Sequence, residues 1–318
     1  MAVYTRVSPS KLNDFLGSYD VGSAISFKGI AEGVENSNYL LKTTKGSFIL
    51  TLYEKRVDAS DLPYFLDLMN FIAGRGVKSA RPVLPKSGNP LGRLCGRPAA
   101  LIEFLDGVSA DPPSALQCEN AGAALAQLHL AGADFSAVRA NDMGPQSWSS
   151  LLGATALRAD TVQAGLASLL NDELLLVLGD WPQNLPQGII HGDLFPDNVL
   201  FAGDDVSGLI DFYFACTDAL AYDLAVMINA WCFAADGTFE ADKSASLIKG
   251  YQSLRKLEAS EIAALPMLAR GAALRFVLTR LNDWLARDAG ALVTPKDPLA
   301  LLPHLRFHGT ANPSAYGV

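Results

Sequence analysis

The chain has 318 residues, of which 50% are hydrophobic and 18% charged, with a net charge of −8. This length allows two lobes, and the low charge with high apolar content excludes a disordered chain. The negative balance and the absence of a basic run argue against a nucleic-acid partner. The four cysteines form no C-x-x-C pair, and the most apolar stretch, residues 224–235, is too short to span a membrane. We expect a cytoplasmic protein with reduced thiols, and the sequence carries no signal for its oligomeric state.

The first hundred residues predict a mostly antiparallel sheet with one inserted helix. Ser8-Pro9 is typical of a helix start, and that helix should run to Leu16. Short strands separated by glycine turns follow within residues 24–53. Residues 61–73 have apolar side chains at helical spacing, and residues 97–105 form the clearest later strand. We therefore predict an N-lobe over residues 1–105.

After residue 106 the pattern becomes helical. Helices are predicted at 115–131, near 158–179, and at 219–235, 240–253, 259–287 and 297–303. A short hairpin around 189–212 interrupts them with strand-like segments. The sequence therefore predicts an α+β fold with a β-rich N-lobe, a helical C-lobe over residues 106–318, and a site in the cleft.

Three polar residues around this hairpin suggest phosphoryl transfer. Asp193 follows a strand-like segment, Asn198 comes five residues later, and Asp211 ends the next strand. A hairpin of this length can return Asp211 to the same end as Asn198. Phosphoryl transfer needs a carboxylate near the acceptor hydroxyl and oxygen ligands for Mg²⁺. Taken singly, Asp193 also fits a turn, Asn198 a cap, and Asp211 the N-cap of the next helix.

The segment 191–198, followed by Ile210-Asp211-Phe212, resembles the catalytic and metal-binding segments of the aminoglycoside phosphotransferase and choline kinase superfamily. The resemblance implies a bilobal, protein-kinase-like fold that uses ATP. It also implies Asp193 as the catalytic base, with Asn198 and Asp211 as Mg²⁺ ligands.

Two other residues of the segment carry less chemistry. We expect His191 to fix the loop by hydrogen bonding, and Asp197 to be solvated.

The glycine-rich stretch 29–39 is interpreted as the loop that covers the nucleotide. Within it, residues 35–39 resemble the homoserine kinases of this superfamily, as opposed to the GHMP-type enzymes. Residues 50–55, 61–69 and 275–284 resemble the same family, so the likeness runs from about residue 4 to about 310. The nucleotide-binding residues implied in this way are Gly33, Asn36, Ser37, Asn38, Lys55 and the backbone of Glu103 and Leu105.

One feature departs from the usual kinase pattern. The third strand of many kinases carries a cation for the α- and β-phosphates, and Thr51 stands at that place here. Either Lys55 or Lys42 can take over this role, or the backbone and Mg²⁺ suffice.

If the acceptor is L-homoserine, its two charged ends need partners. Arg275 and Arg280, on an otherwise apolar helix, are candidates for the carboxylate, although a structural ion pair explains either arginine as well. Asp218 is the candidate for the ammonium group, whereas Asp223 is better placed to brace the catalytic loop. His129 is interpreted as a core residue.

The predicted reaction is the ATP-dependent phosphorylation of the L-homoserine hydroxyl, a step of threonine biosynthesis. A kinase for choline, ethanolamine or an aminoglycoside is the alternative, and an aromatic cage for a quaternary amine can be drawn from Trp231, Trp284, Tyr213 and Tyr222. A second alternative is a non-catalytic nucleotide-binding module. His304 and His308 have a spacing that suits a helical metal site, but no second ligand pair accompanies them.

Overall fold

The computed structural model describes residues 4–30, 36–54, 58–287 and 295–318. The chain divides into two compact units, Met1–Gly107 with Ser207–Tyr213, and Val108–Val206 with Phe214–Val318. The prediction assigned residues 207–213 to the C-lobe, whereas here they belong to the first unit. Backbone hydrogen bonds explain this, because Leu209 donates to Lys78 O at 2.8 Å and accepts from Ala80 N at 3.0 Å.

The first unit contains a five-stranded antiparallel sheet in the order β1-β2-β3-β5-β4. Its strands are β1 (Ala24–Gly29), β2 (Ser37–Thr43), β3 (Gly46–Leu52), β4 (Gly92–Leu94) and β5 (Arg97–Glu103). Its helices are α1 (Pro9–Leu16) and α2 (Leu62–Ala73). The predicted start of α1 is confirmed, since the Ser8 side chain accepts a hydrogen bond from the N–H of Lys11.

Alternation along the strands builds the core of this unit. Odd-numbered residues of β2 are buried and even-numbered ones are more exposed, as expected for a sheet with one covered face. The interior side chains of the sheet meet those of α1 in one apolar cluster, which includes Leu12, Leu16, Leu41, Leu50, Leu52 and Leu101. The same sheet therefore fixes the position of the residues that flank segment 31–35.

A second contact holds segment 207–213 in the first unit. The hydroxyl groups of Tyr53 and Tyr213 lie 2.9 Å apart, and both rings are buried or half-buried. The ring of Tyr213 also packs edge-on against Phe65 of α2, with centroids 5.8 Å apart. The contacts of Tyr213 therefore hold the chain two residues after Asp211.

The second unit is mainly helical. Its helices are α3 (Ala115–Gly132), α4 (Pro145–Ala159), α5 (Leu166–Gly179), α6 (Leu220–Trp231), α7 (Ala241–Leu254), α8 (Ala259–Ala286) and α9 (Leu302–His308). Its strands are β6 (Gln187–Ile190), β7 (Val199–Ala202) and β9 (Cys216–Ala219), and β8 (Asp205–Leu209) begins in it and continues into the first unit. The helix predicted near 158–179 corresponds to α5, which begins only at Leu166, whereas most of α4 and the whole of β9 were not predicted. Strand β9 pairs antiparallel with β6, so that Ile190 lies opposite Cys216.

The longest helix, α8, has 28 residues and is the main apolar scaffold of the second unit. By length and composition it is the one described helix that could cross a membrane, and 67% of its most apolar window is buried inside the protein. This burial is typical of a core helix. The helix places Arg275 and Arg280 five residues apart.

Candidate active site

The loop that follows β6 has a fixed backbone shape. Gly192 has a φ angle of 74°, which lies in the left-handed region that side chains other than glycine rarely adopt. A Cβ atom at this position would lie 3.0 Å from the carbonyl oxygen of Phe214. Glycine is therefore required immediately before Asp193.

The side chain of Asp223, in the first turn of α6, holds the backbone of this loop. Its carboxylate accepts hydrogen bonds from the backbone N–H groups of His191 at 2.6 Å and Gly192 at 2.9 Å. It also lies 3.1 Å from His129 Nε2, and all these groups are buried. Burial alone would raise the pKa of Asp223, but the hydrogen bonds and charges of His129 and His191 outweigh it and the pKa is lowered. The bracing role predicted for Asp223 fits this geometry.

Asp193 is held by its own backbone and by a neighbouring arginine. Its carbonyl oxygen accepts from Asn198 Nδ2 at 2.7 Å and from the N–H of Phe195 at 2.9 Å. Arg275 donates from Nη1 to the carbonyl oxygen of Gly192 at 2.6 Å, and its Nη2 lies 3.9 Å from Asp193 Oδ1. The Asp193 side chain is 23% exposed, so the carboxylate is positioned yet reachable.

Leu194, the residue after Asp193 in the loop, is held by a hydrogen bond as well. Trp231 Nε1, in the buried end of α6, donates a 2.8 Å hydrogen bond to the carbonyl oxygen of Leu194. Helices α6 and α8 therefore both hold the loop through side chains. Such rigid support suits a carboxylate that must act at one place.

The side chain of Asn198 is suited to a hard cation. Its nitrogen is used by Asp193 O, and its Oδ1 has no hydrogen bond within the described part of the chain. Mg²⁺ takes oxygen ligands and is commonly held by one or two protein groups plus substrate phosphates. Among the described residues there is no cluster of three His, Cys, Asp or Glu that could hold a metal by itself.

Asp211 belongs to the first unit and has an unusual backbone. Its φ angle of 65° is left-handed, and its side chain is exposed. Such a conformation in a non-glycine residue is strained by about 1–3 kcal/mol, less for Asp and Asn, and often occurs at functional positions. The Tyr213–Tyr53 contact lies two residues farther along the chain.

The predicted nucleotide residues have different surroundings. Gly33 and Lys55 lie outside the described residues. The Ser37 hydroxyl accepts from the N–H groups of Tyr4 at 2.8 Å and Thr5 at 3.1 Å and donates to Glu54 at 2.7 Å. Its hydrogen-bonding capacity is therefore used inside the protein. These bonds favour a structural role for the side chain, and the expectation that Ser37 binds nucleotide stays a prediction.

The side chain of Thr51, at the position where many kinases carry a cation, is hydrogen-bonded to a side chain of the neighbouring strand β2. Its hydroxyl donates a 2.9 Å hydrogen bond to Asn38 Oδ1. Lys42 lies four residues beyond Asn38, about 13 Å farther along β2. Asn36 precedes the strand at its other end and is buried, and its Oδ1 has no partner among the described residues.

The end of β5 contains the two predicted adenine-binding residues. The N–H of Glu103 is already donated to Arg81 O at 2.8 Å. The backbone of Leu105 has no such bond in the described chain. A Cβ atom on Gly208 would lie 2.4 Å from Leu105 Cδ1, so Gly208 lets β8 pass close to this residue. Of the two residues, only Leu105 still has its N–H free to donate.

The predicted substrate residues also differ. Arg275 is buried and its guanidinium contacts the catalytic loop, so the structure favours the structural interpretation of this residue. Asp218 is half-buried and accepts a 2.7 Å hydrogen bond from Asn141 Nδ2. Arg280 is half-buried and feels the charge of Asp193, and it has no hydrogen bond or ion pair with a described residue.

The proposed aromatic cage is not supported by the ring contacts. Trp231 is buried beside Phe201, and Trp284 is covered by Arg287 at 3.9 Å. Tyr222 is buried against Trp181. In the second unit these rings are thus separately engaged in packing.

The two histidines at helical spacing, His304 and His308, both contact the side chain of Asn229. They form no metal centre within the described residues. Asn229 Oδ1 lies 3.2 Å from His304 Nδ1 and 3.1 Å from His308 Nε2. Because this oxygen only accepts, both ring nitrogens must donate. His308 Nδ1 then accepts from the hydroxyl of Tyr316, 2.8 Å away. The two histidines thus belong to a neutral, buried hydrogen-bond network with Asn229 and Tyr316, which joins α6 to α9.

Sequence reasoning missed several supporting residues. The hydrogen bond from His129 to Asp223 and that from Trp231 to the loop backbone join residues far apart in the chain. For His129, the available signal was a polar residue on an otherwise apolar helix. That signal led only to its interpretation as a core residue and not to its contact with Asp223. Gly208 gave no signal, since a glycine in a strand has many explanations.

Comparison with known proteins agrees with this architecture. Residues 26–257 match the model of the phosphotransferase enzyme family. A protein of Methylobacterium radiotolerans named homoserine kinase is 56% identical over 311 residues, covering 98% of this chain and 97% of the relative. One of Afipia carboxidovorans with the same name is 57% identical over 319 residues, covering 100% and 98%.

A solved structure shows the same fold at low sequence identity. An amicoumacin kinase in complex with AMP-PNP and Ca²⁺ superimposes with a TM-score of 0.72 at 15% identity, over 95% of this chain and 93% of that one. The predicted bilobal, protein-kinase-like α+β fold is confirmed. The chain belongs to the phosphotransferase enzyme family, and within it to the group whose members are named homoserine kinase.

Proposed function

We propose that the protein transfers the γ-phosphoryl group of ATP to the side-chain hydroxyl of L-homoserine, giving ADP and O-phospho-L-homoserine for threonine biosynthesis in the cytoplasm. The observation that carries the proposal is the full-length identity of 56–57% to proteins named homoserine kinase. It is supported by the rigidly held Asp193, which a non-catalytic nucleotide-binding module would not need.

Asp193 is the catalytic base in this proposal. Its carboxylate orients the acceptor hydroxyl and takes its proton as the oxygen attacks the γ-phosphorus. The bond between that phosphorus and the bridging oxygen of ADP breaks, and ADP carries away the electron pair. The braced loop supplies positioning, which accounts for most of the catalysis in phosphoryl transfer.

Asn198 and Asp211 are each proposed as Mg²⁺ ligands. A bound Mg²⁺ would neutralise charge on the phosphates. The residues present fit this role, because Asn198 offers an amide oxygen that has no hydrogen bond to a described residue, and Asp211 offers an exposed carboxylate. We further propose that the N–H of Leu105 and the carbonyl of Glu103 bind adenine. In the nucleotide-covering loop, Asn36 and the backbone, with the undescribed Gly33 and Lys55, would serve the phosphates.

An ADP-release assay with purified protein tests the assignment. L-Homoserine, L-serine and choline are offered separately with MgATP, and phosphorus NMR identifies the product. We expect turnover with homoserine at least about 100-fold above that with choline, since Trp231 and Trp284 do not form a cage. Efficient turnover of choline, or ADP release that is independent of acceptor, would contradict the proposal.

A further inference from the structure

Helix α8 carries three arginines whose surroundings differ. Arg270 forms a bidentate pair with Glu173, with N···O distances of 2.7 and 2.8 Å. Arg275 Nη2 lies 3.9 Å from Asp193 Oδ1. Arg280 has neither a hydrogen bond nor an ion pair to any residue that the structure describes. Two of the three guanidinium groups therefore have partners, and the third has none in the part of the chain that the structure describes.

The position of Arg280 makes this unusual. Its side chain is half-buried, and burial lowers its pKa despite the negative charges nearby. A guanidinium that loses water without gaining a partner is unfavourable, and buried arginines are normally paired. An anion that enters the site would restore the missing interactions.

The carboxylates near Arg280 do not satisfy it. The three whose charges act on it are, in decreasing order, Asp193, Asp297 and Asp197. Each is engaged elsewhere, Asp193 with Arg275 at 3.9 Å, Asp297 with the N–H of Leu299 at 2.9 Å, and Asp197 with Lys296 at 3.5 Å. Among the described residues, Arg280 is thus a cation that feels the charge of the proposed base but forms no ion pair of its own.

We propose that Arg280 binds the carboxylate of an α-amino-acid acceptor and so selects amino acids over simple amino alcohols. Arg275 is assigned to the loop and not to the acceptor. The inference rests on the proposed function, because it requires an acceptor that has both a hydroxyl and a carboxylate. The planar guanidinium matches a carboxylate in a bidentate manner, which an ammonium group does not.

The size of the acceptor agrees with this placement. In L-homoserine the hydroxyl and the carboxylate are separated by three carbon atoms, with bonds of about 1.5 Å each. A molecule of this length can contact Asp193 at one end and a neighbouring cation at the other. Arg280 lies on α8 about 7.5 Å along the helix axis from Arg275, whose Nη2 is 3.9 Å from Asp193 Oδ1, and the charge of Asp193 acts on Arg280 more strongly than those of the other two acids.

The experiment compares two acceptors that differ only in the carboxylate. For wild type, Arg280→Met, Arg280→Lys and Arg287→Met, kcat/KM is measured with L-homoserine and with 3-aminopropan-1-ol. Calorimetric dissociation constants for both compounds, in the presence of a non-hydrolysable ATP analogue, give the same comparison independently of turnover. Arg287 is the matched control, because it lies at the exposed end of α8 over the Trp284 ring.

We expect Arg280→Met to reduce the homoserine-to-aminopropanol ratio by about 100-fold, with aminopropanol almost unaffected. Arg280→Lys should retain part of the ratio, and Arg287→Met should leave it unchanged. Equal losses for both acceptors, or no loss with homoserine, would overturn the inference. If Arg280→Met fails to fold in a thermal melt, the ratio for Arg280→Lys decides. Wild-type protein that does not turn over homoserine would instead overturn the proposed function, and this inference with it.

Discussion

Arg275 and Gly192 are joined by a 2.6 Å hydrogen bond from a buried guanidinium to a loop carbonyl one residue before Asp193. The guanidinium also lies over the Phe276 ring at 4.4 Å, and its Nε has no hydrogen-bond partner among the described residues. If Asp193 is the base, as proposed, Arg275 is a positioning residue that acts through the backbone before it.

Replacing Arg275 by methionine should lower kcat by about 100-fold, because small displacements of a catalytic group have effects of this size. The loss should be the same for every acceptor, and KM for ATP should change little. Steady-state kinetics with two acceptors provide the measurement. A change confined to KM for homoserine would show that Arg275 contacts the acceptor after all.

Asp193→Asn should remove most turnover while leaving nucleotide affinity nearly intact. Asparagine keeps the size of the side chain but cannot accept the proton, and general-base catalysis contributes about 10²–10⁴-fold. Turnover measured by ADP release and nucleotide binding measured by calorimetry test the two halves. Near-normal kcat in this variant would contradict the assignment of Asp193 as base.

Asp223→Asn should destabilise the protein by about 3–5 kcal/mol, because it breaks a buried network and places an NH₂ group where two N–H donors converge. Urea denaturation followed by fluorescence gives the free energy of unfolding. Asp142→Asn, at an exposed carboxylate, is the control and should change it by less than about 0.5 kcal/mol. Similar values for both variants would argue against the anchor.

Gly208→Val should raise KM for ATP, because a Cβ atom at this position would lie 2.4 Å from Leu105 and displace the proposed adenine-binding backbone. The substitution should leave KM for homoserine largely unchanged. Gly153→Ala is the control, since a Cβ atom there meets nothing within 4 Å. An unchanged KM for ATP in a folded Gly208→Val protein would exclude Leu105 from nucleotide binding.

The protein should lose stability in mildly acidic solution because of His304 and His308. Burial lowers their pKa values to about 4 and about 3, below the usual 6.5. The unfolded chain therefore binds protons first, so the free energy of unfolding falls as pH drops from 6.5 toward 4, by at most about 1.4 kcal/mol per pH unit for each histidine. Thermal melts from pH 7.5 to 4.5 measure the fall. His308→Gln should flatten the profile, and an unaltered slope would be contrary to this expectation.

The sequence predicted most of the first unit because strand alternation and the Ser8-Pro9 cap are local signals. It also predicted that Asp193 lies in a loop after a strand. Strand β9 was missed because four residues containing Thr and Asp give no periodic pattern. The differing roles of Arg275 and Arg280 could not be predicted, since both are arginines on an apolar helix. Only the tertiary contacts show that the guanidinium of Arg275 is hydrogen-bonded to a loop and that of Arg280 is not.

The assignment of Ser207–Tyr213 to the first unit has a consequence for how the protein can be divided. The chain leaves the second unit after Val206 and re-enters it at Phe214, so neither unit is a continuous fragment. A protein truncated after Gly107 would lack the hydrogen bonds that Leu209 makes with Lys78 and Ala80. Chimeras that exchange the first hundred residues between relatives would likewise separate this strand from its natural neighbours. An exchange of the first unit must therefore carry residues 207–213 together with residues 1–107.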